Sequence, residues 1–235
     1  YVPGSLKARA CVAGAAKMMA YCDAKHIPYQ LCGKVIIATE PEELPRLHAL
    51  YEGGQANSVP GLRMIDPQEL REIEPHAVGL EALWSPNTGI VDYRNVARAY
   101  AEDILELGGE IRTSNEVLQI DRKAGMTNII ATGGEYEVGA VVTCAGLWAD
   151  KLAALTGGER APQIVPFRGD YFTLPKERRS LVRTNIYPVP DPRFPFLGVH
   201  LTPRINGEVW MGPNAVLAFA RDGYRFTTVT PGDIG

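Results

Sequence analysis

The side chains best suited to acid–base chemistry lie in the last third of the chain. His200 sits in the run Phe196-Leu-Gly-Val-His-Leu-Thr202. If that run is extended, alternation puts Phe196, Gly198, His200 and Thr202 on one face and Leu197, Val199 and Leu201 on the other. The histidine then shares a face with small or polar residues, as a pocket wall requires. It would act as a general base or bind a carboxylate; a half-buried sheet histidine with a satisfied hydrogen bond is the competing reading. Arg168, in Val165-Pro-Phe-Arg-Gly-Asp-Tyr171, stands beside a glycine and can present its planar fork to a carboxylate, or pair with Asp170 on the same face. Asn185 and Tyr187 share a face of another extended segment, where their polar tips would orient a ligand or the Tyr187 ring would simply pack. Asn214, in Gly212-Pro-Asn, can donate to a ligand or cap a turn. Arg193 and Arg204 flank the His200 segment and read as surface charges. His26, His48 and His76 fall on helix ends or loops and read as solvated.

A second kind of chemistry is suggested by Val141-Val-Thr-Cys-Ala-Gly-Leu-Trp-Ala-Asp150. A buried strand is expected to lead into a turn of small residues and then a helix. Ala145 and Gly146 have almost no side chain, so a ligand can approach the backbone there. Free N–H groups at the start of the helix favour anionic oxygen, such as a pyrophosphate. An ordinary strand-to-helix turn has the same pattern. The four cysteines, Cys11, Cys22, Cys32 and Cys144, form no C-x-x-C pair, so neither a zinc ribbon nor a disulfide scaffold is expected. They read as small core residues in a reducing compartment. No metal site is expected.

These residues need elements to hold them. Ser5 is an N-cap for a helix over 6–24, whose apolar residues nearly surround it and predict burial. Residues 30–39 read as a strand, and 42–52 as a helix stopped by Gly53-Gly54. Asp66-Pro67-Gln68-Glu69 starts a short helix, with the cap, the proline and the acid in the expected places. Residues 79–84 read as a strand. Asp92 caps a helix with Val96, Tyr100, Ala101, Ile104 and Leu107 at three-to-four spacing, closed by Gly108-Gly109. Residues 110–120 are extended, and 127–132 and 135–138 form a hairpin about Gly133-Gly134. Residues 140–143 are a short apolar strand, and 147–156 a helix. From 163 onward, strand-like segments at 163–174, 181–189, 196–202 and 208–212 alternate with Pro-rich turns, an antiparallel pattern.

The order is that of a two-lobed α+β protein with boundaries near 91 and 160. Its 235 residues, 46% apolar and 22% charged, exclude a disordered, collagenous or coiled-coil chain. A net charge of −3 gives no global basic field for nucleic acid or anionic lipid. No run of 18 apolar residues predicts a membrane span.

Val141–Asp150 resembles the second flavin-contact segment of the D-amino-acid-oxidase-like FAD-dependent oxidoreductases, in which a strand, an Ala/Gly turn with a nearby Trp, and a helix lie by the flavin. Glu116-Val117-Leu118-Gln119-Ile120 resembles the strand of that superfamily whose Val pairs its backbone with the adenine. Within the superfamily the chain is most similar to the L-2-hydroxyglutarate dehydrogenase/oxidase family. The segments that carry this are Pro3-Gly-Ser-Leu-Lys-Ala8, Thr88-Gly-Ile-Val-Asp-Tyr-Arg94, Ile164-Val-Pro-Phe-Arg-Gly-Asp-Tyr171, Asn185-Ile-Tyr-Pro-Val-Pro190, Arg193-Phe-Pro-Phe-Leu-Gly-Val-His200 and Gly212-Pro-Asn-Ala-Val-Leu-Ala-Phe219.

The resemblance implies oxidation of L-2-hydroxyglutarate to 2-oxoglutarate, with FAD taking the hydride. It implies His200 as the catalytic residue, Arg168, Tyr187 and Asn214 at a 2-hydroxy dicarboxylate, and Val117, Ala145, Gly146 and Trp148 at the cofactor. It divides the chain into the first part of a substrate lobe (1–90), a partial FAD-binding α/β lobe (91–160) and an antiparallel-sheet substrate lobe (161–235). A glycine-oxidase-like amine oxidase and a non-catalytic binding module are the alternatives. The electron acceptor would be oxygen, a quinone or an electron-carrier protein. The location would be cytoplasmic or at the periphery of the inner membrane in a bacterium, and mitochondrial in a eukaryote. The family's G-x-G-x-x-G turn does not occur here. With Tyr1 in place of Met, the expectation is a central fragment, possessing part of a flavin site, whose own activity and retention of FAD are left open.

Overall fold

The computed structural model describes residues 1–123, 125–159, 161–194, 196, 198–225 and 227–233. Local signals set most helix starts. The Ser5 hydroxyl accepts from the Ala8 N–H and opens α1 (Leu6–Ala24). The expected all-round burial of α1 is not met: only Ala8 and Cys22 are buried. Its alanines favour helix without building a broad apolar face, and one edge alone packs, through Cys22, on Ile27, Val96 and Ala99. Cys22 is likewise the one cysteine found in a core, with Cys32 half-buried and Cys11 and Cys144 exposed.

The strand expected over 30–39 is two, β1 (Tyr29–Gln30) and β2 (Lys34–Ala38). Gly33 divides them at φ +77°, and a Cβ there would fall 2.0 Å from the Trp84 ring. The helix α2 (Leu44–Ala56) follows a 3-10 turn and runs through Gly53-Gly54, its expected stop. Gly54 instead admits the Leu62 side chain, which a Cβ would meet at 2.2 Å. After β3 (Arg63–Ile65), Asp66 caps α3 (Pro67–Ile73) by accepting from the N–H groups of Gln68 and Glu69, both at 2.8 Å. The strands β4 (Glu81–Ser85) and β5 (Ile90–Val91) precede α4 (Tyr93–Glu106), where Asp92 accepts from the Arg94 N–H. The buried stripe of α4 ends at Ala99; Tyr100, Ile104 and Leu107 are exposed, against expectation, because the contact with α1 covers only the first half of the helix.

A three-stranded antiparallel sheet follows: β6 (Val117–Lys123), β7 (Met126–Ala131) and β8 (Gly134–Val138). Residues 140–143 do not form the expected strand. No strand among the described residues offers them a ladder, and a lone strand makes no hydrogen bonds of its own. Val142 is 85% exposed. A 3-10 turn (Gly146–Trp148) leads into α5 (Ala149–Leu155). The remaining strands are β9 (Phe167–Arg168), β10 (Phe172–Thr173), β11 (Asn185–Pro188), β12 (His200–Pro203), β13 (Val209–Gly212) and β14 (Val216–Leu217).

The chain forms two compact units, 1–102 with 169–215, and 103–168 with 216–235. The breaks therefore fall after 102 and 168 rather than near 91 and 160. Residues 216–235, expected in the substrate lobe of 161–235, fall in the second unit. They join the second unit because β14 pairs with β9 and Arg221 pairs with Asp150.

The first unit is built on a seven-stranded sheet of order β10-β13-β12-β11-β2-β4-β3. Every pairing is antiparallel except β11 with β2, so the sheet is mixed and joins the first ninety residues to the last third. Val35, Ile37 and Ala82 pack one face on Leu70 of α3; Ala38, Leu83 and Val189 pack the other on Leu47 of α2. Each fully buried leucine contributes about 1.5–3 kcal/mol.

Candidate active site

The sheet face that packs on α2 turns polar toward its other end. Register places Trp210, His200, Thr202, Asn185, Tyr187 and Lys34 together there. His200 is 7% exposed. Its Nδ1 lies 3.0 Å from the Gly198 carbonyl. A carbonyl only accepts, so Nδ1 carries the proton and Nε2 holds the lone pair of the neutral ring. The imidazole stacks on Tyr187 with centroids 4.1 Å apart at 11°, and Tyr171 meets it edge-on at 6.3 Å. Burial pushes the Tyr187 phenol up. His200 and Tyr187 are thus brought together as expected. The alternation holds from His200 onward; Phe196 and Gly198 precede the strand, and Leu197 lies outside the described residues.

Lys34 was not among the expected residues. Its Nζ lies 5.4 Å from the Tyr187 ring centre, and burial pulls the ammonium below its usual range. The one sequence signal is a lysine opening an otherwise apolar strand, and only the pairing of β2 with β11 gives it meaning. Asn185 faces inward: its amide donates to the Gly33 carbonyl at 3.0 Å and lies 3.3 Å from Cys32 Sγ. It holds the lead-in to β2. Glu74, fully buried after α3, accepts from the N–H groups of Arg183 and Thr184, the residues that lead into β11.

The other expected substrate residues lie outside the strands of that sheet. Asn214 Oδ1 accepts from the Asp170 N–H at 2.8 Å, and its own N–H reaches the Asp170 carbonyl. This is the turn-capping arrangement. Arg168 sits on β9 opposite Val216, outside the sheet that carries His200. Arg193 pairs with Asp191 at the surface, whereas Arg204 is half-buried with its guanidinium 4.3 Å from the Trp210 ring centre.

The second unit holds a cleft of about 1210 Å³. Val117 and Leu118 of β6, Trp148, Lys151 and Leu155 of α5, and Phe219 are among its walls. Two of the four expected cofactor residues, Val117 and Trp148, line it; Ala145 and Gly146 do not. Gly146 has φ +54°, and a Cβ there would meet nothing within 4 Å. The left-handed backbone favours glycine at that turn, and the space beside it is free of protein atoms. Apolar walls with an exposed indole fit a flat heterocycle; Glu116, Asp150, Asp222 and Asp233 also line the cleft, and the Lys151 ammonium, which donates to the Gly232 carbonyl at 3.1 Å, is the kind of group a phosphate needs.

Arg221 anchors this cleft. Its guanidinium binds Asp150 through two bonds of 2.6 and 2.7 Å, donates to the Leu147 carbonyl, and lies 5.5 Å from the Trp148 ring centre. Asp233 accepts from its backbone N–H at 3.1 Å. The Arg221 bonds hold the Asp150 carboxyl well below the usual range. Its stabilising contribution is therefore complete above the unfolded carboxylate range and is lost as the pH falls below about 4. Arg221→Met leaves two buried carboxylates without their cation, which reverses that sign. The variant is expected to lose far more melting temperature at neutral pH than near pH ~4. Equal losses at both values in thermal melts would exclude the ion pair as the cause.

Among the described residues no group of three or more His, Cys, Asp and Glu side chains is placed to hold a metal ion. No helix among them is long and apolar enough to cross a membrane.

The two units together make the fold of the FAD-dependent oxidoreductases. The family model described as FAD dependent oxidoreductase matches residues 1–234, and the chain belongs to that family. The fold is also that of a solved structure, L-alpha-glycerophosphate oxidase from Mycoplasma pneumoniae with FAD bound, with a TM-score of 0.82 at 21% identity over 94% of this chain and 59% of that one. More particularly, the chain is 49% identical over 239 residues to the mitochondrial L-2-hydroxyglutarate dehydrogenase of Caenorhabditis elegans, covering 100% of this chain and 55% of the relative. It is 51% identical over 237 residues to the corresponding protein of Homo sapiens, covering 96% of this chain and 51% of the relative. The chain spans about half the length of the curated relatives it matches.

Proposed function

We propose that the protein of which this chain forms about half oxidises L-2-hydroxyglutarate to 2-oxoglutarate with FAD. The observation that carries this is the state of His200. Its Nδ1 proton is committed to a backbone carbonyl, so Nε2 is a base held rigidly by the Tyr187 stack. Nε2 takes the proton of the C2 hydroxyl as the C2 hydrogen leaves with both bonding electrons. Bound FAD supplies the acceptor for that hydride. Val117, Trp148 and Lys151 would hold the cofactor at the cleft of the second unit. Tyr187 would hold the substrate beside the base, and Arg168 would serve a substrate carboxylate. Asn214 serves the Asp170 turn. The high identity to L-2-hydroxyglutarate dehydrogenases supports the choice of substrate. Electrons would pass on to oxygen, a quinone or an electron-carrier protein. The compartment would be mitochondrial in a eukaryote, and the cytoplasm or inner-membrane periphery in a bacterium.

Anaerobic mixing of the full-length holoenzyme with L-2-hydroxyglutarate, its D-isomer and glycine tests the reading. Bleaching of the flavin by the L-hydroxy acid alone is expected. Bleaching by glycine alone would replace it with an amine-oxidase function. A purified full-length protein without flavin absorbance would favour a binding module.

A further inference from the structure

Lys34 is a half-buried cation without a counter-ion among the described residues. Among the described residues no carboxylate pairs with it. Its register partners, Asn185 on β11 and Ser85 on β4, are neutral. Glu74 gives Oε1 to the N–H groups of Arg183 and Thr184 and makes no ion pair with Lys34. A desolvated ammonium left in that state is costly, and a ring face offsets only part of the loss. The site is therefore short of one negative charge.

The position of that charge is set by the sheet. The strand β11 lies between β12 and β2, so Tyr187 carries His200 on one side and Lys34 on the other. The separations of 4.1 and 5.4 Å, laid end to end, bound the ammonium at about 9.5 Å from the imidazole centre. In a five-carbon 2-hydroxy diacid the reacting carbon and the distal carboxylate carbon are three bonds apart. With contacts of about 3 Å at Nε2 and Nζ, such a molecule bridges the two groups over the Tyr187 ring.

We propose that Lys34 binds the distal carboxylate of a dicarboxylate substrate and so selects diacids over monoacids, with Tyr187 as the spacer that sets the chain length accepted. This rests on the oxidation proposed above. It assigns Lys34 a specificity role distinct from the proton transfer at His200.

The test compares Lys34→Met, Lys34→Gln and Lys34→Arg in the full-length holoenzyme. Affinities for 2-oxoglutarate and for 2-oxobutyrate, which lacks the distal carboxylate, are read by titration calorimetry. Turnover is read with L-2-hydroxyglutarate and L-2-hydroxybutyrate. Lys34→Met is expected to weaken 2-oxoglutarate binding about 100-fold and to raise KM for the diacid similarly, as loss of a charge-assisted contact should. Binding of 2-oxobutyrate should change by no more than about twofold. Lys34→Arg should recover part of the diacid affinity. Melting temperature and FAD content identify a variant that fails to fold, in which case Lys34→Gln carries the comparison. Equal losses for diacid and monoacid, or no loss for either, would overturn the proposal while leaving the oxidation intact. A wild-type enzyme that oxidises neither hydroxy acid overturns the oxidation and, with it, the specificity role.

Discussion

Replacing His200 by Gln in the full-length holoenzyme is expected to slow flavin reduction by L-2-hydroxyglutarate by about 10²–10⁴-fold. FAD content and 2-oxoglutarate affinity should hold. The size follows from the loss of a positioned general base. Glutamine fills much of the imidazole volume and can still donate to the Gly198 carbonyl, but it carries no basic nitrogen. The imidazole owes its orientation to that carbonyl and to the parallel Tyr187 ring, so in the proposed reaction the base would meet substrate without further ordering. Stopped-flow measurement of flavin bleaching under anaerobic conditions separates the chemical step from reoxidation. A rate within a few-fold of wild type would remove His200 from the reaction and leave it a packed sheet histidine.

The largest expected loss of stability comes from Glu74. Its side chain is fully buried, and one oxygen takes two backbone N–H groups at the mouth of β11. Glu74→Ala deprives both donors of their acceptor and opens a void, a loss of about 3–5 kcal/mol. Glu74→Gln keeps one acceptor oxygen without the charge and should lose roughly half as much. Because the protein has more than one unit, amide hydrogen exchange at Arg183 and Thr184 is the cleaner measurement, with thermal melting as a companion. Exchange at those two amides should accelerate in step with the loss of stability. Protection equal to wild type in Glu74→Ala would show that another acceptor replaces the carboxylate.

What was legible beforehand was local. Ser5, Asp66-Pro67 and Asp92 announce helices because a cap is a contact between residues two or three apart. The hairpin about Gly133-Gly134 is similarly short-ranged. Period-two alternation located His200 and, on another strand, Tyr187. It could not show that the two strands are neighbours, nor that β2 lies beside them. Lys34 was missed for that reason, since its chemistry exists only once residue 34 meets residues 185–187. Residues 140–143 failed in the opposite sense. Their composition suits a strand, but a strand needs a partner, and none is offered within the described residues. Val117 and Trp148 were named by family resemblance, and both line the cleft. Ala145 and Gly146 were named by small size as well as by resemblance, and small size reports a backbone conformation as readily as a ligand.

The parallel pairing of β2 with β11 also sets a timetable for synthesis. Residue 34 leaves the ribosome about 150 residues before its partner, Asn185. At roughly 5–20 residues per second, β2 waits about eight to thirty seconds with one edge open. During that interval β4 can cover the other edge, since it follows within fifty residues. The open edge is the apolar run Val35-Ile36-Ile37-Ala38, a template for a strand of any neighbouring chain. The central seam of the seven-stranded sheet thus waits longest for its partner, and the yield of folded protein should rise with holdase chaperones and with lower expression levels.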